Sequence, residues 1–290
     1  MSILEYLAFS PTALLITLLI VGLIVGSFLN VVILRYPIML QRLYECECRD
    51  LLKLSHESNQ ETFNLIVPHS HCPSCKTPIK PWQNIPVLSY LLLKGKCAKC
   101  STSISIRYPL IELLAGLLAL LSGWYFGFSL NTLAACLLLW ALLTLTMIDF
   151  DHQILPDAIT LPLLWVGLLA NFHWQLFTTI DQALWGVIAG YLTLWSVYWL
   201  FKLLTQKEGM GYGDFKLLAM LGAWLGWKML PLIILMSSLI GAIVGGLLIL
   251  FKGHDHQVPI PFGPYLAGAG AVALFWGETI VQQYFQLAGF

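Results

Sequence analysis

The sequence predicts an all-α polytopic membrane protein of about eight transmembrane helices, with one small cysteine-bearing polar domain inserted between helices 1 and 2. Three observations carry this. Of 290 residues, 58% are hydrophobic and only 10% charged, with a mean hydropathy of +0.79, whereas soluble globular chains carry roughly 25% charged residues. Charge is absent from residues 6–34, 113–148, 158–180, 182–201, 229–251 and 256–277, runs near or above the ~20 residues an α-helix needs to cross the hydrocarbon core. The long polar region is confined to residues 35–108. This composition excludes a soluble enzyme, a disordered chain and a basic polyanion binder, and so nucleic acid as a partner; the partner it implies is the lipid bilayer. No alternation of apolar and polar residues marks the strands of an outer-membrane barrel, which leaves a helical bundle.

Taken in order, the spans fall at 12–34, 109–128, 131–148, 158–176, 183–204, 214–227, 229–251 and 263–285. The first starts near Thr12 without a preceding basic region and without a small-residue cleavage site after it, the pattern of a retained helix rather than a removed signal peptide. The sixth is short, and its boundary with the seventh lies near Lys228–Pro231. Seven spans with a re-entrant piece is the competing arrangement.

Orientation follows from Lys and Arg. Ten of the fifteen basic residues lie in 35–108, which carries a net charge of +5, so that region is expected in the cytoplasm and the N-terminus outside. Threading eight spans from there also places Lys202, Lys207, Lys216 and Lys252 on the cytoplasmic side, with Lys228 alone opposed. The organisation is thus a first span (1–34), a cytoplasmic domain (35–108) and a membrane-embedded domain (109–290).

Four of the seven cysteines form Cys72-Pro-Ser-Cys75 and Cys97-Ala-Lys-Cys100. Two such knuckles read as a four-thiolate tetrahedral zinc site, each tight turn supplying two sulfurs and the metal closing the loop between them. A reducing cytoplasm favours this over disulfides. The role expected is structural, because a closed four-cysteine site folds a domain too small to build its own core. Cys46, Cys48, His69 and His71 are the alternative ligands nearby, and Cys136, alone in a span, is a packing residue.

Ionisable residues at membrane depth are expensive and point to function. Asp149, Asp151 and Asp157 cluster after the third span, and Asp214 opens the sixth within Gly209-Met-Gly211-Tyr-Gly213-Asp214. The charge-derived topology puts both segments at the cytoplasmic face. Asp149 ends one helix and Asp214 begins another at the same depth, so the two carboxylates meet if the helices are neighbours. Held close, two aspartates share one proton, and one acts as base on a water while the other acts as acid. Water so activated attacks a peptide carbonyl. The same pairing serves a membrane proton relay, so proton-coupled transport stays open. Asp157 also reads as a helix cap, Asp151 and His152 as solvated loop residues, and the glycines as a flexible turn.

In four places these residues resemble the type IV prepilin peptidases. The first is Gly26-Ser27-Phe28-Leu29-Asn30 with Arg35-Tyr36-Pro37. The second is the cysteine domain with Trp82-Gln-Asn-Ile-Pro86, Tyr90 and Arg107-Tyr108-Pro109-Leu-Ile-Glu112. The third is the Asp149 segment ending Leu155-Pro156-Asp157, and the fourth Gly211-Tyr-Gly213-Asp214-Phe-Lys216 with Ile260-Pro-Phe-Gly263-Pro264-Tyr265.

The resemblance implies a bifunctional enzyme of the bacterial inner membrane whose catalytic aspartates are Asp149 and Asp214. Its implied substrates are prepilins or pseudopilins with a short basic leader, cut after a Gly on the cytoplasmic side. The new N-terminal amine is then methylated from S-adenosylmethionine. The acids Asp149, Asp151, Asp157, Glu208 and Asp214 would attract such a leader. Residues 35–108 show no S-adenosylmethionine fingerprint, so methylation follows from the resemblance alone and its residues are unassigned. A presenilin-like intramembrane protease shares Gly-x-Gly-Asp, but its Tyr-Asp and Pro-Ala-Leu elements are replaced here by Ile148-Asp149 and Pro261-Phe-Gly-Pro264.

Overall fold

The computed structural model describes residues 2–54, 62–207, 209–252 and 261–287. Among them the architecture is helical without β-strands: α1 (Ile3–Phe9), α2 (Pro11–Leu51), α3 (Leu88–Leu92), α4 (Arg107–Phe126), α5 (Leu130–His152), α6 (Asp157–Trp174), α7 (Ile180–Thr205), α8 (Tyr212–Leu225), α9 (Leu230–Lys252) and α10 (Gly263–Leu287). A helix occupies each of the eight stretches expected to span. Among the described residues, five segments are long and apolar enough to cross a membrane: α2, α4, α5, α7 and Trp227–Leu248. The chain divides into two compact units, residues 1–136 and 137–290, with the division falling inside α5.

The first unit departs from expectation at its start. Helix α2 does not end near residue 34 but runs on to Leu51, carrying Arg35, Arg42 and Arg49 with it. Pro37 lies within this helix without ending it. The first part of the polar region is therefore helix, a continuation that charge patterning does not reveal because charge marks exposure to water, not backbone conformation. Cys46 and Cys48 lie on that extension. Ahead of it, α1 is a separate short helix capped by Ser2 with Glu5 closing a capping box. Within this unit α2 packs along α4.

In the second unit α8 is the buried centre. It packs against α6, α7 and α10, and every residue from Asp214 to Leu225 except Lys216 is buried. Its 14 residues rise about 21 Å, short of the ~30 Å hydrocarbon thickness. The helix stops at Gly226, whose φ of +80° turns the chain into a single 3-10 turn, Trp227–Met229, that leads into α9. That stop accounts for the ambiguous boundary between the sixth and seventh spans.

The core of this unit combines close backbone approach with satisfied polar groups. Gly186 of α7 and Gly222 of α8 face each other so closely that a Cβ on either would collide with the other's carbonyl. Gly186 and Gly190 form a small-xxx-small pair of the sort that lets membrane helices touch backbone to backbone. Trp224, fully buried, donates its Nε1–H to Leu163 O at 2.9 Å. Buried Asn171 donates Nδ2–H to Ala223 O (2.9 Å) and Trp224 O (3.0 Å), while its Oδ1 accepts from the N–H of Phe177 (3.1 Å) and Thr178 (3.3 Å). It thereby ties the C-terminal end of α8 to the loop after α6, pairing groups that would be costly if left open in an apolar interior.

A Gly222→Val substitution is expected to lower the thermal unfolding midpoint of the detergent-solubilised protein, with a loss of about 1–3 kcal/mol from overpacking. An unchanged midpoint would contradict the α7–α8 contact described here.

Candidate active site and metal centre

Asp149 and Asp214 come to the same end of the second unit by opposite routes. Helix α5 carries Asp149 in its last turn, three residues before it ends at His152. Gln153, with φ 55°, then takes the left-handed conformation that closes the helix, its N–H bonded to Asp149 O at 2.9 Å. Asp214 lies in the first turn of α8, whose N-cap is Gly211. There the free amide groups and the helix dipole favour a carboxylate. Asp149 is only 5% exposed and Asp214 6%, and the charge of Asp149 acts on Asp214.

A third element completes this end. The N–H of Gly263, first residue of α10, donates to Asp149 Oδ2 at 3.0 Å in a buried setting. A Cβ at Gly263 would stand 2.5 Å from that oxygen and 3.2 Å from Leu155 Cδ1. Leu155 also lies against Gly213, where a Cβ would come within 2.8 Å of it. The side chain of Leu155 thus joins the N-terminal ends of α8 and α10 beside Asp149. Sequence reasoning did not assign Gly263 a role. Its signal was a Gly-Pro pair opening a helix, which marks a helix start but not which carboxylate its N–H will meet.

The other acids separate from this pair. Asp157 does not cap α6: Pro156 occupies the N-cap, and no side-chain capping bond forms. Its carboxylate instead pairs with Lys216 Nζ at 2.7 and 2.8 Å, tying the start of α6 to the start of α8. Asp151 and His152 are exposed, as solvated residues should be, but belong to the last turn of α5 rather than to a loop. Glu208 and Ile260 lie outside the described residues.

In the first unit, the Sγ atoms of Cys72, Cys75, Cys97 and Cys100 all lie within 4.8 Å of one another and could hold a metal ion. Cys72 and Cys100 are 3.7 Å apart, and Cys75 and Cys97 4.0 Å. Four thiolates at Zn–S bonds of about 2.3 Å in a tetrahedron would be separated by about 3.8 Å, so the donor set fits. Neither Cys46, Cys48, His69 nor His71 joins this group. His71 Nδ1 lies 2.9 Å from His69 O. Cys136 is buried, in keeping with a packing role.

The two knuckles are copies of one design, a repeat that did not stand out in the sequence. Each reads Cys-x-x-Cys-x-Thr-x-Ile. In the first, Lys76 N–H bonds to Cys72 O (2.9 Å), Cys72 N–H to Thr77 O (3.0 Å) and Ile79 N–H to Ser70 O (2.8 Å). In the second, Ser101 N–H bonds to Cys97 O (3.0 Å), Cys97 N–H to Thr102 O (2.8 Å) and Ile104 N–H to Gly95 O (2.7 Å). Lys76 and Ser101 share a left-handed φ near 55°. Thr77 Oγ1 is 3.3 Å from Cys75 Sγ and Thr102 Oγ1 3.2 Å from Cys100 Sγ. These hydroxyls hold the Cys75 and Cys100 thiols below the ordinary range, and the backbone amide of Cys100 does the same for Cys97. At these three the effect favours thiolates, the form that binds metal, whereas burial and the neighbouring thiols push the Cys72 thiol up.

Comparison with known proteins identifies the family. Residues 20–126 match the bacterial peptidase A24 N-terminal domain, and residues 136–246 match the type IV leader peptidase family. The chain belongs to the type IV leader peptidase family. A prepilin leader peptidase/N-methyltransferase of Pseudomonas aeruginosa is 54% identical over 290 residues, the whole of both chains. One of Stutzerimonas stutzeri is 56% identical over 284 residues, 98% of each chain, and one of Legionella pneumophila 46% identical over 269 residues, 92% of this chain and 93% of its own. No solved structure matches. Membership in a leader peptidase family speaks for the peptidase reading of the chain over proton-coupled transport.

Partners of the sulfurs tune a metal site as the sulfurs themselves do. Thr77→Val and Thr102→Val are each expected to weaken metal binding by about 10–100-fold, read by competition with a chromogenic chelator. Unchanged affinity in both would deny the threonines that role.

Proposed function

We propose that this leader peptidase removes the short basic leader from type IV prepilins or pseudopilins, cutting after a Gly at the cytoplasmic membrane face, and that Asp149 and Asp214 are its catalytic pair. The observation that carries this is the meeting of two buried carboxylates from α5 and α8 with the Gly263 N–H seated on Asp149 Oδ2. Two carboxylates so close hold one proton between them. With Oδ2 occupied by Gly263, Oδ1 of Asp149 is left to act on a water. The pair takes a proton from that water as it adds to the scissile carbonyl, and the shared proton moves to the carbonyl oxygen. Collapse of the tetrahedral intermediate breaks the C–N bond: the proton gained from water passes to the departing amine, and one hydroxyl of the intermediate returns its proton to the pair as the carbonyl re-forms.

The same reading assigns an S-adenosylmethionine-dependent N-methylation of the new N-terminus, in keeping with the names of the full-length relatives. Zinc on Cys72, Cys75, Cys97 and Cys100 would be structural: it would supply a cross-link that fixes the two knuckles. Residues 35–108 then form the zinc-binding cytoplasmic domain and 109–290 the membrane-embedded peptidase domain. The enzyme sits in the bacterial inner membrane with its N-terminus in the periplasm. A basic leader would be drawn toward Asp151 and the negative charge that the Asp149–Asp214 pair retains, while Asp157 is balanced by Lys216.

Asp149→Asn and Asp214→Asn should each lower the rate of leader cleavage from a purified prepilin by at least about 10²–10⁴-fold, measured in detergent with normally expressed protein. Full cleavage by either variant would end the dyad mechanism. Gly263→Ala, which drives a methyl group toward Asp149 Oδ2, should likewise cut slowly; wild-type rates would show that the N–H contact does not matter. Mass spectrometry of the mature N-terminus, with and without S-adenosylmethionine, tests the second activity.

A further inference from the structure

A cavity of about 800 Å³ lies within the first unit, lined by α2, α4, the residues around α3 and both cysteine knuckles. Its size falls in the range of roughly 300–1,000 Å³ typical of small-molecule sites. The wall contains a buried carboxylate: Glu112, in the second turn of α4, is 8% exposed. Its Oε2 accepts the Val87 N–H at 2.7 Å, and Ser27 bonds to the same carboxylate. No Lys, Arg or His pairs with it among the described residues. A carboxylate taken out of water with neutral partners only is costly unless a cation meets it. At the more exposed part of the lining the charge has the opposite sign, with Lys80 and Lys99. Tyr90 and Tyr108 supply aromatic surface, and Asn30 is fixed in the wall by donating to Tyr108 O at 3.1 Å.

This distribution selects a ligand that is cationic at one end, anionic at another and carries a flat ring system. S-adenosylmethionine has these features: a sulfonium and an ammonium, a carboxylate, and an adenine. We propose that this cavity is the S-adenosylmethionine site, with the Glu112 carboxylate meeting the positive charge of the cofactor and Lys80 and Lys99 at the carboxylate end. The proposal rests on the methyltransferase reading above. In the reaction so served, the amine nitrogen of the new N-terminus forms a bond to the methyl carbon as the S–CH₃ bond breaks. The sulfonium becomes the neutral thioether of S-adenosylhomocysteine, and the nitrogen sheds a proton to water. The positive charge facing Glu112 falls in the same step if the sulfonium is what it meets, which favours release of the spent cofactor.

The test is equilibrium dialysis of radiolabelled S-adenosylmethionine against the purified full chain, with methylation of a cleaved prepilin measured in parallel. Two variants are compared: Glu112→Gln, which removes the charge and keeps the shape, and Ser89→Trp, which fills the cavity from α3 without touching Glu112. Metal content and the thermal unfolding midpoint report whether each is folded. The expected result is that wild type binds about one equivalent and that both folded variants lose tenfold or more in affinity. If wild type binds and methylates while folded Glu112→Gln and Ser89→Trp bind as tightly as it does, the cavity is not the site, although the methyltransferase reading survives. If wild type neither binds nor methylates, the methyltransferase reading falls and this proposal with it. Should Glu112→Gln fail to fold, Ser89→Trp alone decides.

Discussion

The second unit is organised around the burial of two carboxylates at one end of a helical bundle. An uncompensated carboxylate is among the costliest groups to hold away from water, and here two stand close enough to act on each other. The fold answers with backbone rather than with cations. Asp214 sits in the first turn of α8, where unpaired amides and the helix dipole receive a negative charge, and Asp149 takes the Gly263 N–H. The available lysine, Lys216, is engaged by Asp157 instead. Among the described residues the pair has no counter-ion, as the proposed exchange of a proton requires. The position of α8 follows from this: it is short, enclosed on three sides by α6, α7 and α10, and held at its far end by Asn171 and Trp224.

The first unit solves a different problem. A polar segment between α2 and α4 has few apolar residues with which to build a core, and the paired knuckles substitute a tetrahedral donor set for one. Their hydrogen bonds repeat turn for turn, so one local design used twice brings four sulfurs together. Cys72 and Cys97 also line the cavity that holds Glu112. Metal binding would then govern the shape of that cavity, while the carboxylate pair lies in the other compact unit, among residues 137–290. On the readings proposed above, the two activities divide between the units.

Much of this was legible because membrane burial writes directly into charge patterning. The uncharged runs locate the helices, and an aspartate at the end of such a run is conspicuous because it is expensive there. The cysteine spacing is legible for a similar reason: few structures other than a metal centre need two sulfurs three positions apart, twice. What escaped the sequence depends on backbone geometry or on pairings across the fold. The continuation of α2 to Leu51 is hidden because polar residues form helix as readily as apolar ones. Gly263 acts through an amide that every residue but proline carries. Gly186 and Gly222 are two glycines among 23 until their helices are known to touch. Asp157 resembled a cap because its cation lies 59 residues away in the chain.

The central claim is that Asp149 and Asp214 act jointly on the carbonyl of the scissile bond. A leader peptide in which that carbonyl is replaced by a secondary alcohol mimics the tetrahedral intermediate, and its affinity can be compared with that of the matching methylene peptide. Wild type should prefer the alcohol by about 10²-fold or more, as transition-state analogues are preferred, and Asp149→Asn and Asp214→Asn should each abolish the preference. If either variant keeps the full preference, the two aspartates do not form the catalytic pair.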